Sequence, residues 1–163
     1  MTAKARKVLA DCSFALEQLE NETTDQSWRV HWIACIVLLR TVGDVLEKVD
    51  GKRDPIVKRV QKNHFGSWMD LPEGTSIFRD FIRMERNLIV HEYASTVHNT
   101  TEINLIVSRE DSHEIFELDE NLFRPLIDRP WAGEDARDMI QTAIDWWSAE
   151  LNAIDIEADL LRS

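Results

Sequence analysis

The stretch Ser27–Val49 reads SWRVHWIACIVLLRTVGDVLEKV, and it decides the fold class. Its apolar side chains recur at spacings of three and four residues, and few polar ones interrupt them before Asp44. This periodicity predicts a helix, and apolar residues around most of the circumference predict that the helix is buried. We therefore expect a central buried helix over residues 27–49, with Ser27 as its N-cap.

Helical patterns also flank this central segment on both sides. Their apolar residues keep the same spacing, and each pattern is bounded by polar, proline or glycine residues. We predict these further helices over residues 2–21, from Pro55 to about His64, over Ile77–Tyr93 after an N-cap at Ser76, and from about Gly133 to Leu161.

Two segments depart from helical periodicity. The stretch Gly66–Thr75 contains Pro72 and Gly74, which predict a loop. Residues 102–118 alternate apolar and polar side chains on both sides of a polar turn at 110–112, which predicts a β-hairpin. The predicted fold class is mainly α: a four- or five-helix bundle with a small inserted hairpin, forming a single domain over residues 1–163.

Composition and charge exclude several classes of protein. The chain has 163 residues, of which 44% are hydrophobic, and only five Gly and four Pro, which argues against disorder and against an all-β sandwich. A net charge of −11 argues against a protein that coats nucleic acid through bulk charge. The charge is segregated, because residues 51–91 carry eight basic and five acidic side chains, while residues 92–163 carry five and seventeen. A local basic centre could still bind a phosphate-bearing ligand.

The sequence predicts a soluble cytoplasmic protein. Its longest purely apolar run, Ile33–Leu39, has seven residues, well short of the roughly 20 that a membrane-spanning helix needs. The N-terminal residues MTAKARKVLADCS have no apolar stretch typical of a signal peptide. Cys12 and Cys35 lie within apolar helical patterns, so we expect reduced, buried thiols.

The helix predicted over Ile77–Tyr93 has one apolar and one polar half. On a wheel of about 100° per residue, the polar half presents three guanidiniums, an amide and an imidazole, from Arg79, Arg83, Arg86, Asn87 and His91. Such a face is either a solvated helix surface or a site for a phosphate-bearing ligand. Cleaving RNA by attack of the 2′-hydroxyl needs a proton-transfer group active near neutral pH and a cation that stabilises the phosphorane, and it needs no metal. His91 and Arg86 can supply these two roles.

The stretch RNLIVHEY, from Arg86 to Tyr93, resembles the signature of HEPN domains (higher eukaryotes and prokaryotes nucleotide-binding). It is similar in particular to the Arg-x4-His-x-Tyr form of HEPN toxins paired with a minimal nucleotidyltransferase antitoxin, with Asn87 as the polar residue after the arginine and His91 as the histidine. The resemblance implies a dimeric helical bundle that acts as a metal-independent endoribonuclease in toxin-antitoxin or phage-defence systems. It also implies a cognate antitoxin protein as a partner.

These observations define a predicted site without cofactor or metal. We expect Arg86 and His91 to be catalytic and Arg83, Asn87 and Tyr93 to bind substrate, with two copies of the chain sharing the site and RNA or a nucleotide as ligand. The alternative is a non-catalytic module of the same fold that binds a nucleotide or a partner protein, which the acidic C-terminal part and the long final helix would suit.

Four further charged residues need either an ionic partner or exposure to solvent. Asp44 and Lys48 are spaced for an i,i+4 ion pair on the central helix, and this family often has such a pair on an earlier helix. Glu85 and Glu92 fall within the apolar half of the motif helix. Because an unpaired buried carboxylate is costly, we expect either a cation such as Arg40 beside Glu85 or less burial on that side.

Overall fold

The computed structural model describes residues 1–22, 24–98, 103–109, 112–118, 123–128 and 130–163. It is a helical bundle with one antiparallel hairpin, which confirms the predicted fold class. Its elements are α1 (Ala3–Glu20), α2 (Asp25–Val45), α3 (Gly51–Arg53), α4 (Pro55–Asp70), α5 (Met84–Glu92), β1 (Ile103–Arg109), β2 (Ser112–Leu118) and α6 (Ala136–Leu160). Wider, π-helical turns at Leu46–Asp50 and Ile77–Arg83 lead into α3 and α5.

Helix α2 is the central helix, as its apolar pattern predicts. It packs against α1, α5 and α6, and its inward side chains, such as Trp32 and Ile36, are almost completely buried. The indole Nε1 of Trp147 on α6 donates a hydrogen bond to the carbonyl of Leu39 at 3.0 Å. This bond satisfies the polar atom of a buried tryptophan and fixes α6 against α2.

The ends of the central helix differ from the prediction. Thr24, not Ser27, is the N-cap, because the Thr24 hydroxyl accepts a hydrogen bond from the Ser27 amide at 3.2 Å. At the other end the chain stays helical beyond Val49 through the π-helical turn and α3. The turn places Asp50 inside the protein, where its carboxylate accepts the amides of Lys4 at 3.2 Å and Ala5 at 2.9 Å. Asp50 thus satisfies free backbone donors at the start of α1.

Helix α4 is longer than the sequence predicts. It runs to Asp70, so the predicted loop over 66–75 is wrong in its first half. The reason is Trp68, which is only 3% exposed and packs with ring-centroid distances of 5.4 Å to Phe78 and 5.2 Å to Trp146. A glycine costs about 1 kcal/mol in a helix interior, and burial of a tryptophan outweighs that cost at Gly66.

The hairpin and the last helix largely follow the prediction. Strands β1 and β2 pair from Ile103 with Leu118 to Arg109 with Ser112, while residues 102, 110 and 111 of the predicted hairpin lie outside the described part of the chain. Helix α6 begins at Ala136 rather than at Gly133, after an N-cap at Asp135 that accepts from the Arg137 amide at 2.8 Å. No helix among the described residues is long and apolar enough to span a membrane.

Candidate functional site

The helix that carries the motif starts at a well-formed cap. The Ser76 hydroxyl accepts a hydrogen bond from the Arg79 amide at 3.1 Å and donates one to the Trp68 carbonyl at 2.7 Å. The Asp80 carboxylate accepts the amides of Gly74 at 2.9 Å and Ser76 at 3.1 Å. These contacts confirm the predicted N-cap and hold the loop before the helix against the end of α4.

Arg79 belongs to this supporting structure rather than to a ligand site. Its guanidinium binds the Asp80 carboxylate at 2.5 and 2.8 Å. It also donates to the loop carbonyls of Met69, Leu71 and Pro72 at 2.7–3.1 Å. The hydrogen bonds from Arg79 lower the pKa of Asp80 below its ordinary value. Because the N–H donors of its guanidinium already form these hydrogen bonds, Arg79 is not available to bind a ligand, although the helical wheel places it on the polar face.

The remaining polar residues of this face have no such partners among the residues that the structure describes. Arg83 is exposed and its only polar contact among the described residues is to the Met69 sulfur at 3.8 Å. Arg86 is half-buried and donates to Oδ1 of Asn87 at 3.1 Å. His91 is exposed, and none of the described residues forms a hydrogen bond or ion pair with its ring. The two cations and the imidazole therefore remain available to an outside anion.

Helical geometry divides this face into two rows. Arg83, Asn87 and His91 follow one another at intervals of four, so they form one row along the helix. Arg86 and His91 are five residues apart, which places them about 140° from each other around a regular α-helix. The two predicted catalytic residues thus do not form a neighbouring pair within one chain.

Tyr93 ends the motif helix. Its backbone has the left-handed conformation, with φ 51° and ψ 36°, and its amide still donates to the Ile89 carbonyl at 3.1 Å. Such a conformation is uncommon for residues other than glycine. The side chain is 71% exposed. The motif tyrosine is therefore displayed at the surface, just beyond the row that ends at His91.

An open cleft of about 460 Å³ lies on one side of the motif helix. Arg83 and Asn87 line it, together with Met69 from the end of α4. Pro130 closes another part of its wall. The other polar groups of its lining are the Glu73 carboxylate and the ion pair between Arg79 and Asp80. Apolar walls with a few polar groups are typical of small-ligand sites. The cleft brings together two of the three predicted substrate-binding residues.

A second cavity, of about 400 Å³, contains the third predicted substrate-binding residue, Tyr93. Trp28, Trp32 and Ile89 form much of its apolar wall, and Arg29 is also part of its lining. The two cavities share no lining residue, so the predicted substrate-binding residues do not converge on a single pocket within one chain.

Glu85 is buried beside the motif, as the sequence suggests, but its partners differ from the expected cation. Its carboxylate accepts hydrogen bonds from the hydroxyl and the amide of Thr96 and from the hydroxyl of Ser95. Burial raises the pKa of Glu85. Arg40 instead pairs with Asp44 at 3.2 Å. The position of Glu85 in the apolar half of the helical wheel correctly indicated a buried polar contact. Helical spacing could not identify the hydrogen-bond donors, because they lie ten and eleven residues further along the chain.

The remaining charged residues named from the sequence are Asp44, Lys48 and Glu92, and each lies at the surface or in an ion pair. Asp44 also contacts Lys48 at 3.5 Å, which confirms the predicted i,i+4 pair on the surface of the central helical segment. Glu92 is exposed, so its position in the apolar half of the wheel carries no cost. The described ranges contain no group of three His, Cys, Asp or Glu side chains arranged to hold a metal ion.

Comparison with known proteins gives no match: no family model matches the chain, and neither does any curated protein or solved structure.

Proposed function

We propose that this protein is a HEPN-like metal-independent endoribonuclease in which Arg86 and His91 are catalytic. One observation supports this proposal above the others. Arg83, Arg86 and His91 have no carboxylate partner within the described part of the chain, whereas Arg79, on the same helix, is fully engaged. Arg83 lines the open cleft, whereas Arg86 and His91 lie outside its lining. Unpaired guanidinium groups suit a phosphodiester, since their donors match phosphate oxygens.

The proposed reaction needs only groups that this face supplies. The 2′-oxygen of a ribose forms a bond to the adjacent phosphorus while the bond to the 5′-oxygen of the next nucleotide breaks. His91 takes the proton from the 2′-hydroxyl or gives a proton to the leaving oxygen. Arg86 stabilises the extra negative charge on the phosphorane, and Asn87 and Arg83 orient the phosphate. The products are a 2′,3′-cyclic phosphate and a 5′-hydroxyl end.

The active form in this proposal is a homodimer. Arg86 and His91 lie about 140° apart around one helix. One phosphate can therefore contact both residue types more readily when Arg86 comes from one chain and His91 from the other. Val30 and Val37 on α2 are 54% and 39% exposed, so they offer apolar surface that a second copy can cover. Two-fold association would make two equivalent shared sites.

The cellular role follows from the resemblance alone. We propose a cytoplasmic toxin of a toxin-antitoxin or phage-defence system, restrained by a cognate antitoxin protein.

Incubation of the pure protein with RNA in EDTA tests the activity. We expect fragments ending in cyclic phosphate, and loss of cleavage in Arg86→Ala and His91→Ala. His98→Ala and Lys7→Ala are matched controls, because they remove an exposed imidazole and an exposed cation elsewhere. Intact RNA, or equal cleavage by the motif variants and the wild type, would overturn the proposal.

Mixing the two inactive variants tests the shared site. In a mixed dimer, one site combines the intact Arg86 of one chain with the intact His91 of the other. Random exchange should therefore restore about a quarter of wild-type activity, since half of the dimers are mixed and one of their two sites is complete. No recovery despite subunit exchange would place the whole site within one chain.

The rival function is a non-catalytic module that binds a nucleotide or a partner protein. It is favoured by exposed apolar side chains, since Val90 on the motif helix is 52% exposed and Val30 and Val37 on α2 are also exposed. Stable RNA or protein binding without any cleavage would support this alternative.

A further inference from the structure

The outer face of α4 carries three neighbouring cations. Lys58, Arg59 and Lys62 are exposed, and none forms an ion pair with a described residue. At 100° per residue they fall within an arc of about 100°. The buried side chains of α4, such as Val57 and Val60, lie on the opposite side of the helix. We call Lys58, Arg59 and Lys62 the α4 basic face.

Within the described part of the chain, no ion pair neutralises this face, although the protein is acidic. The chain has thirty acidic and nineteen basic side chains, so carboxylates are in excess. Some arginines elsewhere are paired with them, as Arg6 is with Asp155 at 3.0 Å and Arg137 with Asp135 at 2.6 Å. Other exposed cations, such as Lys4 and Lys7, have no ion pair with a described residue, but only Lys58, Arg59 and Lys62 form the α4 basic face. A cluster left unneutralised keeps a local positive potential, which attracts an anionic partner.

The α4 basic face continues towards the cleft beside the motif. Lys58, Lys62, Phe65 and Met69 follow at intervals of four, three and four, so they form one row along α4. Phe65 is 39% exposed, and Met69 lines the cleft next to the Arg83 guanidinium. The row therefore runs from two cations, past an exposed aromatic ring, to the cleft.

We propose that the α4 basic face binds the phosphate backbone of single-stranded RNA and directs it to the cleft beside the motif. This inference rests on the proposed function for its choice of RNA. Phosphates would contact Lys58 and Lys62, and an unpaired base would stack on Phe65. A combination of cations and an exposed aromatic ring is typical of single-strand binding, because unpaired bases have free faces for stacking.

The test compares two matched double variants by fluorescence anisotropy. Lys58→Gln/Lys62→Gln removes two exposed cations from the basic face, and Lys4→Gln/Lys7→Gln removes two exposed lysines from α1 with the same change in net charge. The probe is a labelled 2′-O-methyl oligoribonucleotide, which lacks the attacking hydroxyl. Binding is thus measured whether or not the protein cleaves RNA, so failure of this inference is distinguishable from failure of the proposed activity.

We expect Lys58→Gln/Lys62→Gln to bind the probe about 25-fold more weakly at 0.1 M salt. The slope of log K against log salt concentration should become shallower by about 1.4, because each lost phosphate contact removes about 0.7 from this slope for single strands. The α1 variant should stay within about twofold of the wild type, since long-range effects of exposed charges are screened. Phe65→Leu should weaken binding about fivefold with an unchanged slope, because it removes stacking and no charge.

Three results would overturn the inference. Unchanged affinity and slope in Lys58→Gln/Lys62→Gln would show that the face does not contact the oligonucleotide. Equal losses in the two double variants would show that only bulk charge matters. If poly-glutamate displaced the probe at equal charge concentration and depended on Lys58 and Lys62 in the same way, the face would be a site for an acidic polypeptide.

Discussion

Thr96 donates two hydrogen bonds to the carboxylate of Glu85, one from its backbone amide at 3.2 Å and one from its hydroxyl. Glu85 is completely buried and immediately precedes the motif arginine, Arg86. The Thr96 carbonyl in turn accepts the amide of Ile127 at 2.8 Å. The pair therefore ties the motif helix to the segment that follows Tyr93, and it holds both ends of the motif in place.

Thr96→Val should destabilise the protein by about 1–3 kcal/mol, because it leaves part of a buried carboxylate without its hydroxyl donor. Urea denaturation measures this change in the free energy of unfolding. Ser95→Ala is the milder control, since the exposed Ser95 hydroxyl donates to Glu85 at 3.3 Å. Equal stability of Thr96→Val and the wild type would contradict the role assigned to the pair.

Burial of Glu85 should make stability depend on pH. Desolvation raises its pKa above the ordinary 4.5, so the folded protein holds this proton more tightly than the unfolded chain does. The resulting stabilisation is fully present below 4.5 and is lost as the pH rises through the folded-state pKa. Glu85→Gln has no such proton, so its free energy of unfolding should rise relative to the wild type across this window and then level off.

The hydrogen bonds from Thr96 favour the charged form of Glu85 and oppose the effect of burial. In the Thr96→Val background, the loss of stability with rising pH should therefore be larger than in the wild type. Denaturation curves collected from acidic to neutral pH measure both effects. A Glu85→Gln difference that does not change with pH would contradict the raised pKa.

The motif variants should separate activity from stability. Arg86→Ala and His91→Ala should change the free energy of unfolding by about 0.5 kcal/mol or less, while cleavage falls about 10²-fold or more. Ile89→Ala removes a side chain that is 7% exposed, and it should cost about 2–5 kcal/mol. Leu88 is only half-buried, so Leu88→Ala should cost less than Ile89→Ala. Unfolding of either motif variant would show that Arg86 or His91 is structural.

Gly66→Ala should stabilise the protein by about 1 kcal/mol, because alanine is the better helix former. Gly66 lies inside α4, and a methyl group there would meet no atom within 4 Å. Thermal unfolding measures the gain. Gly74→Ala is the opposite control, since Gly74 has φ +82° and a methyl group there would approach Pro130 to 3.2 Å. A destabilised Gly66→Ala would show that α4 does not continue through this position.

Local patterns in the sequence were sufficient for most of the helices. The central helix, the Ser76 cap and the hairpin strands were predicted because each depends on residues within a few positions of one another. The end of α4 was missed for a different reason. Its last turns depend on Trp68 packing against Phe78 and Trp146, and two of these three residues lie elsewhere in the chain.

For the candidate site, the sequence by itself determined which polar residues share the motif helix, because helical spacing is a local property. Only the tertiary structure decided which of them are available. The Arg79 guanidinium donates hydrogen bonds to Asp80 and to carbonyls before the motif helix, whereas Arg83 lines an open cleft. Glu85 likewise received its hydrogen bonds from a segment beyond the helix. Periodicity specifies the direction of a side chain on its own helix, but its partners depend on which distant segments the packed core brings beside it.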